Sequence, residues 1–133
     1  MKMVSVNLSI DVSDVDEGVR FYVQCFGFRE TSRPFPTMAV LDADNMIICI
    51  HQKDAGTAPA PGSDDVRKYV RHWTPVHADF HVDDFDAMLE RIQAEGAIVE
   101  HLHRLPAKPA VAFCSDPFGN GFCIIENSAA TGI

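Results

Sequence analysis

The chain is short of positive charge. Eleven Lys and Arg face nineteen Asp and Glu, a net charge of −8 over 133 residues. Binding a phosphate backbone takes a basic stripe, so a nucleic-acid partner is not expected, nor is attraction to an anionic membrane surface. Long apolar runs are also missing. None approaches the roughly 20 residues that span a bilayer, so no membrane association is expected. One early lysine with no apolar core behind it gives no signal peptide. The four cysteines, at 25, 49, 114 and 123, form no CxxC pair, which leaves out a zinc ribbon and a thioredoxin-like motif. Without a secretion signal, reduced thiols in a cytoplasm are the expectation.

What is present suits one globular domain. With 47% apolar residues, a chain of this length buries roughly two-thirds of the surface it exposes unfolded. Its most informative stretch is Phe113 to Glu126. Asp116-Pro117 begins a turn, Gly119-Asn120-Gly121 tolerates positive φ, and Phe122 to Ile125 is a short apolar strand. A weaker copy of that strand lies at Asp44 to His51. Each copy has a cysteine after a large apolar residue, Ile48-Cys49 and Phe122-Cys123.

Further features repeat in the same order. Val4 to Val12 alternates, with Leu8, Ile10 and Val12 on one side and Asn7, Ser9 and Asp11 on the other. Asp14 offers an N-cap with Glu17 three residues on. The helix that follows carries Val15, Val19, Tyr22, Val23 and Phe26 on one stripe and ends at Gly27. Strands are expected at 28–33, 37–42 and 46–51, with Pro34 and Pro36 breaking the first from the second. Residues 52–63 are rich in Ala, Gly and Pro and read as a linker. A short polar helix is expected at 64–71. The pattern then returns. Val76 to Val82 alternates, Asp83-Asp84 caps a helix bearing Phe85, Met88, Leu89 and Ile92, and Gly96 ends it. Strands follow at 98–102, 111–114 and 121–126. Asn7 thus corresponds to His77, Val12–Asp16 to Val82–Asp86, Gly27 to Gly96 and Cys49 to Cys123, at a spacing near seventy residues. The division expected is module one at 1–52, connector 53–74, module two at 75–127 and a frayed tail at 128–133.

This α+β pattern, two βαβββ modules, resembles the vicinal oxygen chelate superfamily of glyoxalases, extradiol dioxygenases and fosfomycin- and bleomycin-resistance proteins. The matching stretches are Leu8–Asp14, Phe21-Tyr22 with Phe26-Gly27-Phe28, Phe80–Asp84 and Asp116–Asn120. The resemblance implies cupped mixed sheets that together form a cleft, and a homodimer. It also implies where a metal would sit: on the first strand of each module, here Asn7 and His77, and on the last, here Cys49 and Cys123. Of these, only His77 keeps a usual family ligand type. Glu126 is not that carboxylate, because three residues from Cys123 it points to the opposite face.

If those four positions converge, two thiolates and an imidazole suit Zn²⁺ better than Mg²⁺ or Mn²⁺. The simpler expectation is that no metal binds, since buried cysteine is commonly plain packing. His51, His77 and His81 form a second conceivable set on parity. The polar residues of that face, Asn7, Ser9, Asp11, His51, His77, Asp79 and His81, are the expected ligand-binding set, because so polar a sheet face is expected to be wet. Asp79 and His51 are the candidates for a catalytic base. His101 and His103 suggest an exposed strand end. Trp73 and Tyr69 are candidate lid residues, and Arg104 is a candidate contact for an anion.

The expected function is small-molecule binding in the cup, without the usual family metal. The alternative is a metal-dependent lyase or dioxygenase using His77 with a divergent ligand set. A pure interaction module is the third class, favoured if the chain's own side chains fill the cup.

Overall fold

A computed structural model describes residues 1–106 and 109–127. The tail expected to fray lies outside the described residues. The chain divides into two compact units, Met1–Tyr69 and Val70–Ile133, and the boundary falls inside the connector.

In the first unit, β1 (Asn7–Val12) is followed by α1 (Val15–Phe26), β2 (Arg29–Phe35), β3 (Met38–Asp42) and β4 (Ile47–Gln52). The sheet order is β1-β4-β3-β2. β1 runs parallel to β4, as a strand–helix crossover allows, and the other pairs are antiparallel. β1 begins at Asn7 and not at Val4, and Val4 and Val6 are exposed. Asp14 caps α1 by accepting a hydrogen bond from the Glu17 amide at 2.9 Å, and Gly27 closes it at φ 73°.

The buried stripe of α1 is Val15, Gly18, Phe21, Tyr22 and Cys25, with Val19, Val23 and Phe26 only half-buried. This rotates the expected stripe, and Gly18 is the reason. A β-carbon there would lie 2.8 Å from Ile50 Cγ2 and 2.9 Å from Val12 Cγ1, so the helix touches the sheet at its glycine. The helix therefore covers the face of Val12 and Ile50. Asn7, Ser9, Asp11, Cys49 and His51 lie on the opposite, open face.

Two other expectations change. β2 continues through Pro34 to Phe35. It is an edge strand with register shifts on either side of Ser32, where a missing amide donor is tolerated. Residues 64–71 form no helix. The connector is instead an ordered loop, pinned by Gly56 N–H to Arg67 O at 2.8 Å and Arg67 N–H to Thr57 O at 2.8 Å. Those backbone groups are then committed to a turn and not to a helical ladder.

In the second unit, β5 (Ala78–Val82) leads to α2 (Phe85–Ala94), β6 (Ile98–His103), β7 (Val111–Ser115) and β8 (Gly121–Glu126). The sheet order, β5-β8-β7-β6, repeats that of the first. Asp84 caps α2 by accepting from the Ala87 amide at 3.1 Å, and Phe85 and Ile92 are its buried residues. Phe122, Ile124, Ala112 and Cys114 are buried on the covered side of the sheet.

The β7–β8 turn is organised by Asp116, which is 3% exposed. Its carboxylate accepts from the Phe118 and Asn120 amides at 2.8 and 3.0 Å and from Asn120 Nδ2 at 3.0 Å. Among the described residues of this turn only Gly119 has positive φ, at 87°. A β-carbon there would also meet Val70 O at 2.4 Å. The glycine thus serves both the turn and the close approach of the connector.

Candidate functional site

The register of β5 against β8 places Asp79 beside Cys123. Residues two apart on a strand share a face, so His77, just before β5, and His81 stand with them. The structure brings three of these donors together. His77, Asp79 and Cys123 have ligand atoms within 4.8 Å of one another, with the sulfur buried and the other two groups exposed. His77 Nε2 lies 3.2 Å from Asp79 Oδ1. Burial first, then the charge of Asp79 and a hydrogen bond to it, pushes the Cys123 thiol up to about 11. The sulfur therefore carries its proton at neutral pH and shares it with Asp79. A protonated sulfur that faces a carboxylate lacks the thiolate character of an activated cysteine nucleophile.

An aromatic wall stands beside this cluster. The Trp73 ring lies so close to Gly121 that a β-carbon there would be 2.6 Å from its Cε3. It meets His77 edge-on at 5.5 Å between centroids and Phe113 at 6.0 Å. Phe113 in turn lies 6.0 Å from both His101 and His103, whose Nε2 atoms are 3.2 Å apart. A bulge in β6 between Val99 and His101 is what frees Glu100 from the strand alternation. Its Oε1 accepts from Trp73 Nε1 at 3.1 Å and from Arg71 Nη2 at 2.6 Å. Arg71 Nε also bonds Glu100, and the guanidinium stacks 4.4 Å above the indole. Trp73 is thus held by a clasp beside the donor cluster.

The first unit's counterpart is weaker in donors. Asn7 Nδ2 lies 3.6 Å from Cys49 Sγ, so an amide N–H, not a lone pair, faces the sulfur. Ser9 pairs with Cys49 where the second unit has Asp79 with Cys123. Asp11 shares the face with its neighbour His51, and its carboxylate is bound by Arg67 Nε at 2.8 Å. The Tyr69 hydroxyl sits 2.5 Å from Lys53 O and 3.0 Å from Val12 O. Tyr69 therefore ties the connector down and does not act as a lid. Arg104 bonds Asp86 at the start of α2 and lies 5.1 Å from the Phe85 ring centre, so its partner is a side chain of this protein. Glu126 accepts from the Ala110 amide at 3.2 Å and pairs with Val82, on the side away from Cys123.

Sequence reasoning missed Phe113, Glu100 and Arg71. Phe113 was recoverable, since it stands two strands along from Asp79 in the same row. Glu100 was not, because nothing in Ile98–His103 announces a bulge.

Comparison with known proteins assigns the class. The model of the glyoxalase-like domain matches residues 7–125. The chain belongs to this family, within the vicinal oxygen chelate superfamily. No curated protein matches. Among solved structures, the fosfomycin resistance protein FosX of Listeria monocytogenes is similar over 100% of both chains, at 17% identity and a TM-score of 0.73. Lactoylglutathione lyase of Agrobacterium tumefaciens is similar over 96% of both chains, at 18% identity and a TM-score of 0.63. A glyoxalase-related enzyme of Fulvimarina pelagi is similar over 96% of this chain and 89% of its own, at 18% identity and a TM-score of 0.68. At such identities these likenesses establish the fold alone.

Proposed function

We propose that the protein binds a small molecule on the open face of its second module. The observation that supports this most is the pairing of a fixed aromatic wall, Trp73 and Phe113, with the polar floor of His77, Asp79 and Cys123. Aromatic surface supplies affinity, and a few placed polar groups supply orientation. Asp79 is the acceptor of this floor and His77 its orienting partner. Asn7, Ser9, Asp11, His51 and His81 extend the polar surface of the two open faces. In this reading the ligand is sequestered and leaves unchanged, with no metal in the usual family position. The neutral Asn7 amide directed at Cys49 favours that. Four buried free thiols favour a reducing cytoplasm, and a homodimer completes the reading. No helix among the described residues is long and apolar enough to cross a membrane.

The test is equilibrium dialysis against a library of aromatic small molecules, followed by mass analysis of the retained ligand. Recovery of unaltered ligand, with affinity lowered at least about tenfold in Trp73→Ala and His77→Ala, is expected. A retained compound that binds both variants as well as it binds the parent would remove this face from the account.

A second reading is favoured by the gathering of three donor groups around His77. It is a metal-dependent lyase or dioxygenase of the vicinal oxygen chelate type. When bound, the metal would supply Lewis acidity toward a ligand with two neighbouring oxygens. His77 would hold the metal, and the Trp73 wall would limit access of water. Asp79 remains the candidate for moving a proton there; His51, the other candidate, lies in the first unit. Turnover abolished by chelation and restored by zinc would support this reading; turnover that persists in chelator would exclude it.

A further inference from the structure

We infer that His101 and His103, on β6, form a two-imidazole chelate for a late first-row divalent metal, copper or nickel above all. The pair stands apart from the His77 cluster and rests on neither functional reading. The two Nε2 atoms lie 3.2 Å apart, and the rings are inclined at 75°. Two imidazole nitrogens bound to one such ion at about 2.0–2.1 Å, at angles between square and tetrahedral, stand roughly 2.9–3.4 Å apart. The pair already has that separation, with no movement of the backbone. A hydrogen bond from one ring to the other is the plainer account of the contact. A straight one at this distance would hold the ring centres about 5.5 Å apart. They are 4.6 Å apart. The rings are therefore canted off the line between the nitrogens, as two ligands of a common third atom are.

The strand explains the arrangement. The bulge in β6 ends before His101, and from there His101 and His103 pair regularly with Phe113 and Val111. Two residues apart, they share one face of an edge strand. The Phe113 ring, 6.0 Å from each imidazole, stands beside both. Phe113 pairs in turn with Cys123. Two strand spacings, roughly 10 Å, thus separate the backbone of His101 from that of Cys123. One ion cannot serve both places. Among the described residues no carboxylate, thiol or third imidazole joins the pair in a three-donor group. Both histidines are exposed, so water takes the remaining positions. A site without an anionic oxygen disfavours Mg²⁺ and Ca²⁺, whereas imidazole suits copper, nickel and zinc, with copper bound most strongly. A shell completed by water belongs to an exchangeable ion, not a structural one.

The test titrates the full chain with nickel under a phosphine reductant, which leaves the ion in solution. Calorimetry reads affinity and stoichiometry. Paramagnetic broadening of the histidine ring protons reads which imidazoles bind. Expected is one nickel per chain, with affinity lowered at least about tenfold in His101→Gln and in His103→Gln, and unchanged in His77→Ala. The first ring signals to broaden in the parent should be the two that these Gln variants lack. Circular dichroism checks that each variant folds. Should one Gln variant not fold, the other decides together with the broadening in the parent. Parent-like nickel affinity in both Gln variants would overturn the inference. So would loss in His77→Ala alone, which would give the ion to the cluster on β5 and β8. A parent chain that takes up no nickel would overturn it as well.

Discussion

Cys114 and Cys123 stand on adjacent strands but face opposite ways. Cys114 pairs with Phe122 on the covered side, and Cys123 with Phe113 on the open side. Cys114 is fully buried, and burial pushes its thiol up to about 12, with Cys123 and Glu100 adding to the shift. An unfolded cysteine ionises near ~8.5. Between those values the folded state holds a proton that the unfolded state has lost, so stability is intact below the unfolded value and falls as pH rises. The slope is about 1.4 kcal/mol per pH unit for one such thiol. Denaturant unfolding across pH 8.5–10.5, a window set by the same ~8.5 reference value, should show this decline in the parent and a shallower one in Cys114→Ala. Equal slopes would show that the thiol does not ionise on unfolding. At this scale the sequence was informative wherever strand parity decides. It placed His77 and Asp79 on one face of their strand and Glu126 on the face away from Cys123, while the family resemblance put Cys123 beside His77. It could not show that Asp79 contacts both other donors, because that depends on the stagger of β5 against β8.

Among the elements, β6 carries the most consequential irregularity. Its bulge turns Glu100 toward Arg71 and Trp73, and so sets where the indole stands. Glu100→Gln keeps the size but weakens the charged half of the clasp. Hydrogen exchange in residues 70–76 should quicken and the fluorescence of Trp73 should shift to the red, with the thermal midpoint changing by only a few degrees. An unshifted spectrum would mean that Gly121 and Phe113 alone position the ring. Other elements were legible to different degrees. The caps at Asp14 and Asp84 and the turn at Asp116 follow from local chemistry and stand where expected. The buried face of α1 does not follow from its apolar pattern. Its apolar residues are not confined to one stripe, and it approaches the sheet closely at Gly18, which a hydrophobicity reading passes over. The helix expected at 64–71 failed for a related reason. Arg67 and Tyr69 are committed to Asp11 and to the Val12 and Lys53 carbonyls, and such long-range ties leave no local signal.

Over the whole molecule, the duplicated βαβββ order was the readable feature. Both sheets have the same strand order, with the first strand parallel to the last. Polar donor groups divide less evenly than the fold. The first module offers Asn7, Ser9 and Cys49 where the second offers His77, Asp79 and Cys123, and Trp73 and Phe113 flank the second set. On the proposed reading, the chain's chemistry is concentrated in one half. Trp73 is the only tryptophan, and its ring lies 5.5 Å from His77, so its fluorescence reports on that half directly. The measurement to make is a fluorescence titration of the full chain with the compounds retained in dialysis, beside His77→Ala. The account predicts a saturable change in Trp73 emission at the concentration where binding occurs, weakened at least about tenfold in the variant. Saturable binding by dialysis with no change in Trp73 emission, and no effect of the His77 substitution, would contradict it.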